Sequence, residues 1–91
     1  MPLFGMDPAE VRRIGTEARS AADNIGQVIS KVTSTVSGSQ WVGPEREAFM
    51  SNWNDVSARK LNEVKSFLEA FATEAEIQAK QQEDTSSPGA T

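Results

Sequence analysis

Eight residues at mid-chain, Ser37-Gly38-Ser39-Gln40-Trp41-Val42-Gly43-Pro44, constrain the fold more than any other stretch. They hold three helix breakers and one large aromatic, and on either side lie long segments with helical periodicity. The stretch therefore reads as the bend of a helical hairpin. Gly38 is expected in the left-handed conformation that ends a helix, and Pro44 has its φ preset for the first turn of the next. Trp41 is expected to fold back over the end of the two-helix seam, its indole N–H donating to a carbonyl or a water. Gly43 would let the backbone pass close to that ring and cap the second helix without steric hindrance.

The segment before the bend opens with a strong helix start. Asp7-Pro8-Ala9-Glu10 offers a side-chain oxygen at the cap, proline in the first turn and a glutamate three residues on to close a capping box. Val11, Ile14, Ala18, Ala21, Ile25, Val28 and Val32 then recur at steps of three and four, the heptad seam of a helix packed along its length. The seam ends near Val36. Ala18, Ala21 and Ala22 are small enough for a facing helix to come close. Gly15 and Gly26 cost about 1 kcal/mol each against alanine, so tertiary contacts are needed to hold this helix. Ahead of it, Leu3 and Phe4 in the arm Met1 to Met6 are the residues able to pack on a bundle.

After the bend, Pro44 starts a second helix with Glu45 and Glu47 in the first turn, where the helix dipole favours acids. Its apolar positions are Phe49, Trp53 and Val56, then Leu61, Val64, Leu68, Phe71 and Ala75. Between Val56 and Leu61 the step is five, and Lys60 occupies the place a strict heptad gives to a hydrophobe. With no glycine or proline between Pro44 and Pro88, this reads as a stripe shifting around a continuous helix. Phe67 and Ile77 lie off the narrow seam and widen the apolar face. The expected organisation is one all-α domain over residues 1–80, with helix 1 over about 8–37, the turn at 38–43 and helix 2 over about 44–80, followed by a disordered polar tail at 81–91.

Composition removes most chemistry. A chain of 91 residues makes at most one domain with a modest core, and it has no cysteine to staple it and no histidine. The usual zinc ligands and the commonest general base are thus missing. The net charge of −4 sits wholly in the second half. With no basic stripe, nucleic acid and anionic lipid are poor partners. No apolar run approaches the roughly 18 residues of a membrane span, and Met-Pro-Leu-Phe-Gly-Met lacks the regions of a secretory signal. The acid pairs Glu45 and Glu47, Glu74 and Glu76, Glu83 and Asp84 read as solvated surface, since acid and base work needs a pocket that separates two pKa values. A serine–lysine dyad at Lys31 would need a buried lysine, which the flanking polar residues oppose. No enzymatic activity and no cofactor is expected, and the aromatic set reads as core or dimer interface.

The tripeptide Trp41-Val42-Gly43, flanked by Gly38 and Pro44 and set midway in a chain of this length with helical halves, resembles the WXG family. These are small helical-hairpin proteins exported by type VII (ESX) secretion, the early-secreted-antigen-like proteins. The resemblance covers roughly residues 4–80. It implies export without a cleaved signal peptide from a cytoplasmic precursor, pairing with a second WXG-type chain, and contact with the secretion ATPase. The family's export signal, Tyr-x-x-x-acid after the second helix's stripe, has no counterpart here: there is no tyrosine, and Phe71 has Ala75 at the required spacing. That departure tilts the expected partner slightly toward a different chain that carries the signal, with a second copy as the alternative. An intracellular helical scaffold or coiled-coil tether is the competing reading.

The breadth of the second helix's apolar face, with Phe49, Trp53, Phe67, Leu68 and Phe71, exceeds what one antiparallel neighbour can cover. Two hairpins closing into a four-helix bundle would cover the remainder. The expected core or dimer face comprises Val11, Ile14, Ile25, Val32, Phe49, Trp53, Val56, Leu61, Val64, Leu68 and Phe71.

Overall fold

The computed structural model describes residues 7–86, with side chains to residue 84, and is helical nearly throughout. Helix α1 spans Pro8–Ser37 and α2 spans Pro44–Asn52; a π-helical turn at Trp53–Ser57 leads without a break into α3, Ala58–Ser86. No strand occurs among the described residues. The expected packing of Leu3 and Phe4 lies outside them.

Each helix end has a local cause. Asp7 is extended, and its Oδ1 accepts from the Ala9 N–H at 3.0 Å ahead of Pro8. The capping box stays half made, because the Glu10 carboxylate is taken by Arg13 at 2.6 Å. At the other end Gly38 has φ −88°, right-handed and not left-handed as expected, and its N–H donates to Ser34 O. The helix is instead stopped by the Ser39 hydroxyl, which donates to Val36 O at 2.8 Å and accepts from the Trp41 N–H at 3.2 Å. The glycine that the turn needs is Gly43. With φ 110° and ψ −179° it occupies backbone space nearly closed to other residues, and it is the sole positive-φ residue described. A Cβ there would meet nothing within 4 Å, so its role is torsional and not one of close approach to the Trp41 ring.

The π-turn answers the five-residue step seen in the sequence. Ala58 N–H donates to Trp53 O, so one extra residue is absorbed and the stripe is rephased. After it, Ala58, Leu61, Lys65, Leu68, Ala72, Ala75, Ala79 and Gln82 follow one another at steps of three and four, and all are buried or half-buried. On α1 the matching line is Val11, Gly15, Ala18, Ala22, Ile25, Ile29, Val32 and Val36. These two lines face each other. Arg12 pairs with Glu83, Arg19 with Glu76, and the Trp53 indole with Thr33, so α1 and α3 run antiparallel side by side.

The seam differs from the expected one in a specific way. Ile14, Ala21 and Val28 were expected to line it. Gly15, Ala22 and Ile29, one residue further on, take their place, and Ile14 and Val28 are exposed. Gly15 shows why: a Cβ there would lie 3.2 Å from both Ala72 O and Ala75 Cβ, so the backbones come too close for a branched side chain. Ala22, Ala72 and Ala79 are fully buried, and among the described residues no larger side chain is. Gly26 likewise makes room for Lys65, whose stem crosses the seam while its ammonium reaches Glu69 at 2.6 Å.

The helix also runs past the expected end at residue 80, to Ser86. Gln82 is half-buried and Arg12 makes two hydrogen bonds to Glu83, so this polar segment is tied to α1, while Lys80 lies 3.8 Å from Asp84 within the helix itself. Residues 87–91 of the expected tail lie outside the described residues. The result is a rod of 68 × 20 × 16 Å with a radius of gyration of 19.9 Å, against roughly 12 Å for a compact domain of this length.

Candidate interaction surface

The seam divides the helix pair into two faces. Arg12 and Arg19 flank it on one side and reach Glu83 and Glu76 at 2.6 and 3.0 Å, with the Arg19 guanidinium also donating to Thr73. Thr33 lies on the same side and accepts from the Trp53 indole at 3.0 Å. This face is polar and closed by bonds within the chain. The hydrogen bonds from Arg12 hold the Glu83 carboxyl below the usual carboxylate range, and Glu83 in turn raises the Arg12 guanidinium. Glu76 and Glu83, read from sequence as solvated acids, are thus clamps between helices.

The opposite face is apolar. At about 100° of turn per residue, Ile14, Ala21 and Val28 of α1 lie on the flank away from Arg12 and Arg19. Val64 and Phe71 lie on the flank of α3 away from Glu76 and Glu83, and Phe67 sits one position further round. Ile14, Val28, Val64 and Phe71 are each exposed, and Phe67 is 67% exposed with its ring 6.5 Å from that of Phe71. Such a run of large side chains in water is uncommon on a chain that stays alone.

A second apolar group sits at the turn. The Trp41 ring lies 5.6 Å from Phe49, which stacks on Trp53 at 6.4 Å. Trp41 does not cover the seam; it is 41% exposed and rests on α2, whereas Trp53 makes the indole bond to the other helix. Helix α2 has no buried residue. It is too near the chain's bend to find α1 beside it.

Of the residues expected in a core or dimer face, Val11 is buried, and Ile25, Val32, Trp53, Leu61 and Leu68 are half-buried along the seam. Ile14, Phe49, Val56, Val64 and Phe71 are exposed, and Trp41 and Gly43 lie in the connection. Sequence reasoning marked Ala22 as permitting a close approach but placed Ala21 on the seam in its stead, and it missed Gly15, Ala58, Ala72 and Ala79. Their signal was small residues at heptad spacing, Gly15 with Ala22 and Ala72 with Ala79, overlooked beside larger neighbours. Among the described residues no group of three or more Asp or Glu is placed to hold a metal, and no helix is long and apolar enough to cross a membrane. No protein-family model, curated protein or solved structure matches this chain.

Proposed function

We propose that this protein is a non-enzymatic substrate or adaptor of a type VII secretion system, a WXG-type helical hairpin that dimerises into a four-helix bundle through its apolar face. The observation carrying the reading is the pairing of a Trp-Val-Gly connection with a rod whose one face is closed by ion pairs and whose other face is bare. The alanine seam buries little apolar area, at roughly 25 cal/mol per Å² a thin source of stability for a chain without disulfides. Covering Ile14, Val28, Val64, Phe67 and Phe71 with the same face of another hairpin supplies what the seam lacks. The secretion ATPase is the second partner, reached from the polar stretch Glu74 to Gln82 or through a signal on the pairing chain.

Export is tested by expressing the tagged chain with its genomic neighbours in a host carrying a type VII apparatus and in the same host without the ATPase. Appearance in the medium only with the ATPase is the expected result. Retention in both hosts, with the neighbours present, refutes the secretion reading. The absence of tyrosine favours one rival, an intracellular helical tether, for which retention is the expected outcome.

A further inference from the structure

We infer that the polar face carries a binding site for a small hydroxylated phosphomonoester, in a groove that Gly26 opens along α1, with the phosphate held between Lys31 and Lys65. The groove lies away from the apolar face, so the site goes beyond the proposed function and does not depend on it.

On the polar flank of α1 the residues at seven-residue intervals are Arg12, Arg19, Gly26 and Thr33, and on the facing flank of α3 they are Glu83, Glu76, Glu69 and Asn62. Arg12 reaches Glu83, Arg19 reaches Glu76, and Thr33 takes the Trp53 indole from beyond Asn62. The third place in this row of clamps has no side chain. An arginine there would continue the pattern toward Glu69, yet the position holds glycine, the poorest helix residue short of proline. Lys65 occupies only part of the gap: its Cε would lie 3.1 Å from a Cβ on Gly26, and its ammonium turns back along α3 to Glu69 at 2.6 Å. What remains is an open groove of about 690 Å³ running along α1 from Asp23 to Ser34, within the size of small-ligand sites, roughly 300–1,000 Å³.

The polar groups on that groove are short of partners. Lys65 has three N–H donors and one carboxylate partner, Glu69, which leaves donors for the groove that its side chain lines. Lys31 has no ion-pair partner among the described residues. Thr16 and Ser39 donate their hydroxyls to backbone carbonyls, whereas those of Ser30 and Ser34, one turn apart in the groove wall, have no hydrogen-bond partner among the described residues. Two ammonium groups and two hydroxyls suit a tetrahedral oxyanion, whose oxygens can accept from all of them. The other end of the groove differs in sign. Asp23 and Gln27 lie there, toward the N-terminus of α1, and a carboxylate repels a phosphate but accepts from a hydroxyl. The ligand is therefore polarised, its phosphate toward the turn and a hydroxyl-bearing body toward Asp23. From Asp23 to Ser34 the helix rises about 16 Å, room for both parts.

The test is a titration of the whole chain, followed residue by residue in proton–nitrogen correlation spectra, with glycerol 3-phosphate, with inorganic phosphate and with chloride at matched ionic strength. Glycerol 3-phosphate should give saturable shifts confined to residues 23–34 and Lys65, with a dissociation constant on the order of 1 mM. Inorganic phosphate, which offers Asp23 no hydroxyl-bearing body, should bind the same residues severalfold more weakly. Lys31→Gln, at an exposed position, should weaken glycerol 3-phosphate about tenfold, and S30A/S34A should weaken it severalfold. Gly26→Ala should lose about tenfold or more in affinity while its circular dichroism shows the helices intact, which separates loss of the groove from loss of the fold. Equal shifts with chloride overturn the site as ionic screening, and native affinity in Lys31→Gln or in a folded Gly26→Ala overturns the placement of the phosphate. Equal affinity for the two phosphates overturns the assignment of an organic ligand.

Discussion

The closeness of α1 to α3 can be tested with the same substitution at two glycines. Gly15 and Gly26 both lie in the interior of α1 with helical backbone, so replacing either by alanine removes the same local penalty, about 1 kcal/mol. What the new methyl meets differs. At Gly26 the near atom is Lys65 Cε, 3.1 Å away, the far end of a flexible side chain that can swing aside. At Gly15 the near atoms are Ala72 O and Ala75 Cβ, both at 3.2 Å, and neither can rotate away. The helices must part there, at an overpacking cost of about 1–3 kcal/mol that offsets or exceeds the local gain. Gly26→Ala should therefore raise the melting temperature by about 4–8 °C, and Gly15→Ala should leave it unchanged or lower it by as much as twice that. Circular dichroism melts at one fixed protein concentration measure both, since association makes the midpoint concentration-dependent. Equal stabilisation by the two substitutions would refute the close approach at Gly15 and with it the seam.

The π-turn carries one residue more than an α-helix needs, so deleting Asn54 should give a continuous α-helix with the seam in phase and a small change in melting temperature. Deleting Glu63 should turn everything beyond it by about 100° and abolish the cooperative melt. Gly43→Ala should cost about 1–3 kcal/mol by torsion alone, read from urea denaturation; no loss would mean the φ of 110° is not required. Trp41→Ala should cost about 0.5–1.5 kcal/mol, the worth of an exposed aromatic pair, and less than Trp53→Ala, which also loses the indole bond to Thr33; the reverse order would restore the buried role expected for Trp41. Because the folded Glu83 carboxyl sits below its unfolded value, its contribution is present above the ordinary carboxylate range and is lost as pH falls through the folded value. Glu83→Gln should flatten that part of the acid side of the stability curve, and an unchanged profile would discount the Arg12 bond.

The start of α1 and the helix ends at the turn were legible because their causes are local, whereas the end of α3 at Ser86 was not. Asp7 with Pro8, the cluster from Gly38 to Pro44 and the long run free of glycine and proline act through the few residues beside them, and the bounds Pro8, Ser37 and Pro44 follow. The step of five at Val56 to Leu61 was also visible in the residues, although only the backbone decided that a single wide turn would absorb it. Which line of α1 faces inward was not legible. Ile14 and Gly15, Ala21 and Ala22, Val28 and Ile29 are neighbours on one broad apolar stripe, and hydrophobicity alone favours the larger member of the first pair. The choice belongs to the other helix, whose Ala72, Ala75 and Ala79 permit an approach that a glycine or alanine can accept and an isoleucine cannot. Close packing selects by volume between two surfaces, and a volume match exists only once both surfaces have met. The same contact turns Ile14, Val28, Val64 and Phe71 outward, so the bare face of the rod is a consequence of tertiary structure written in residues that the sequence shows only as hydrophobic.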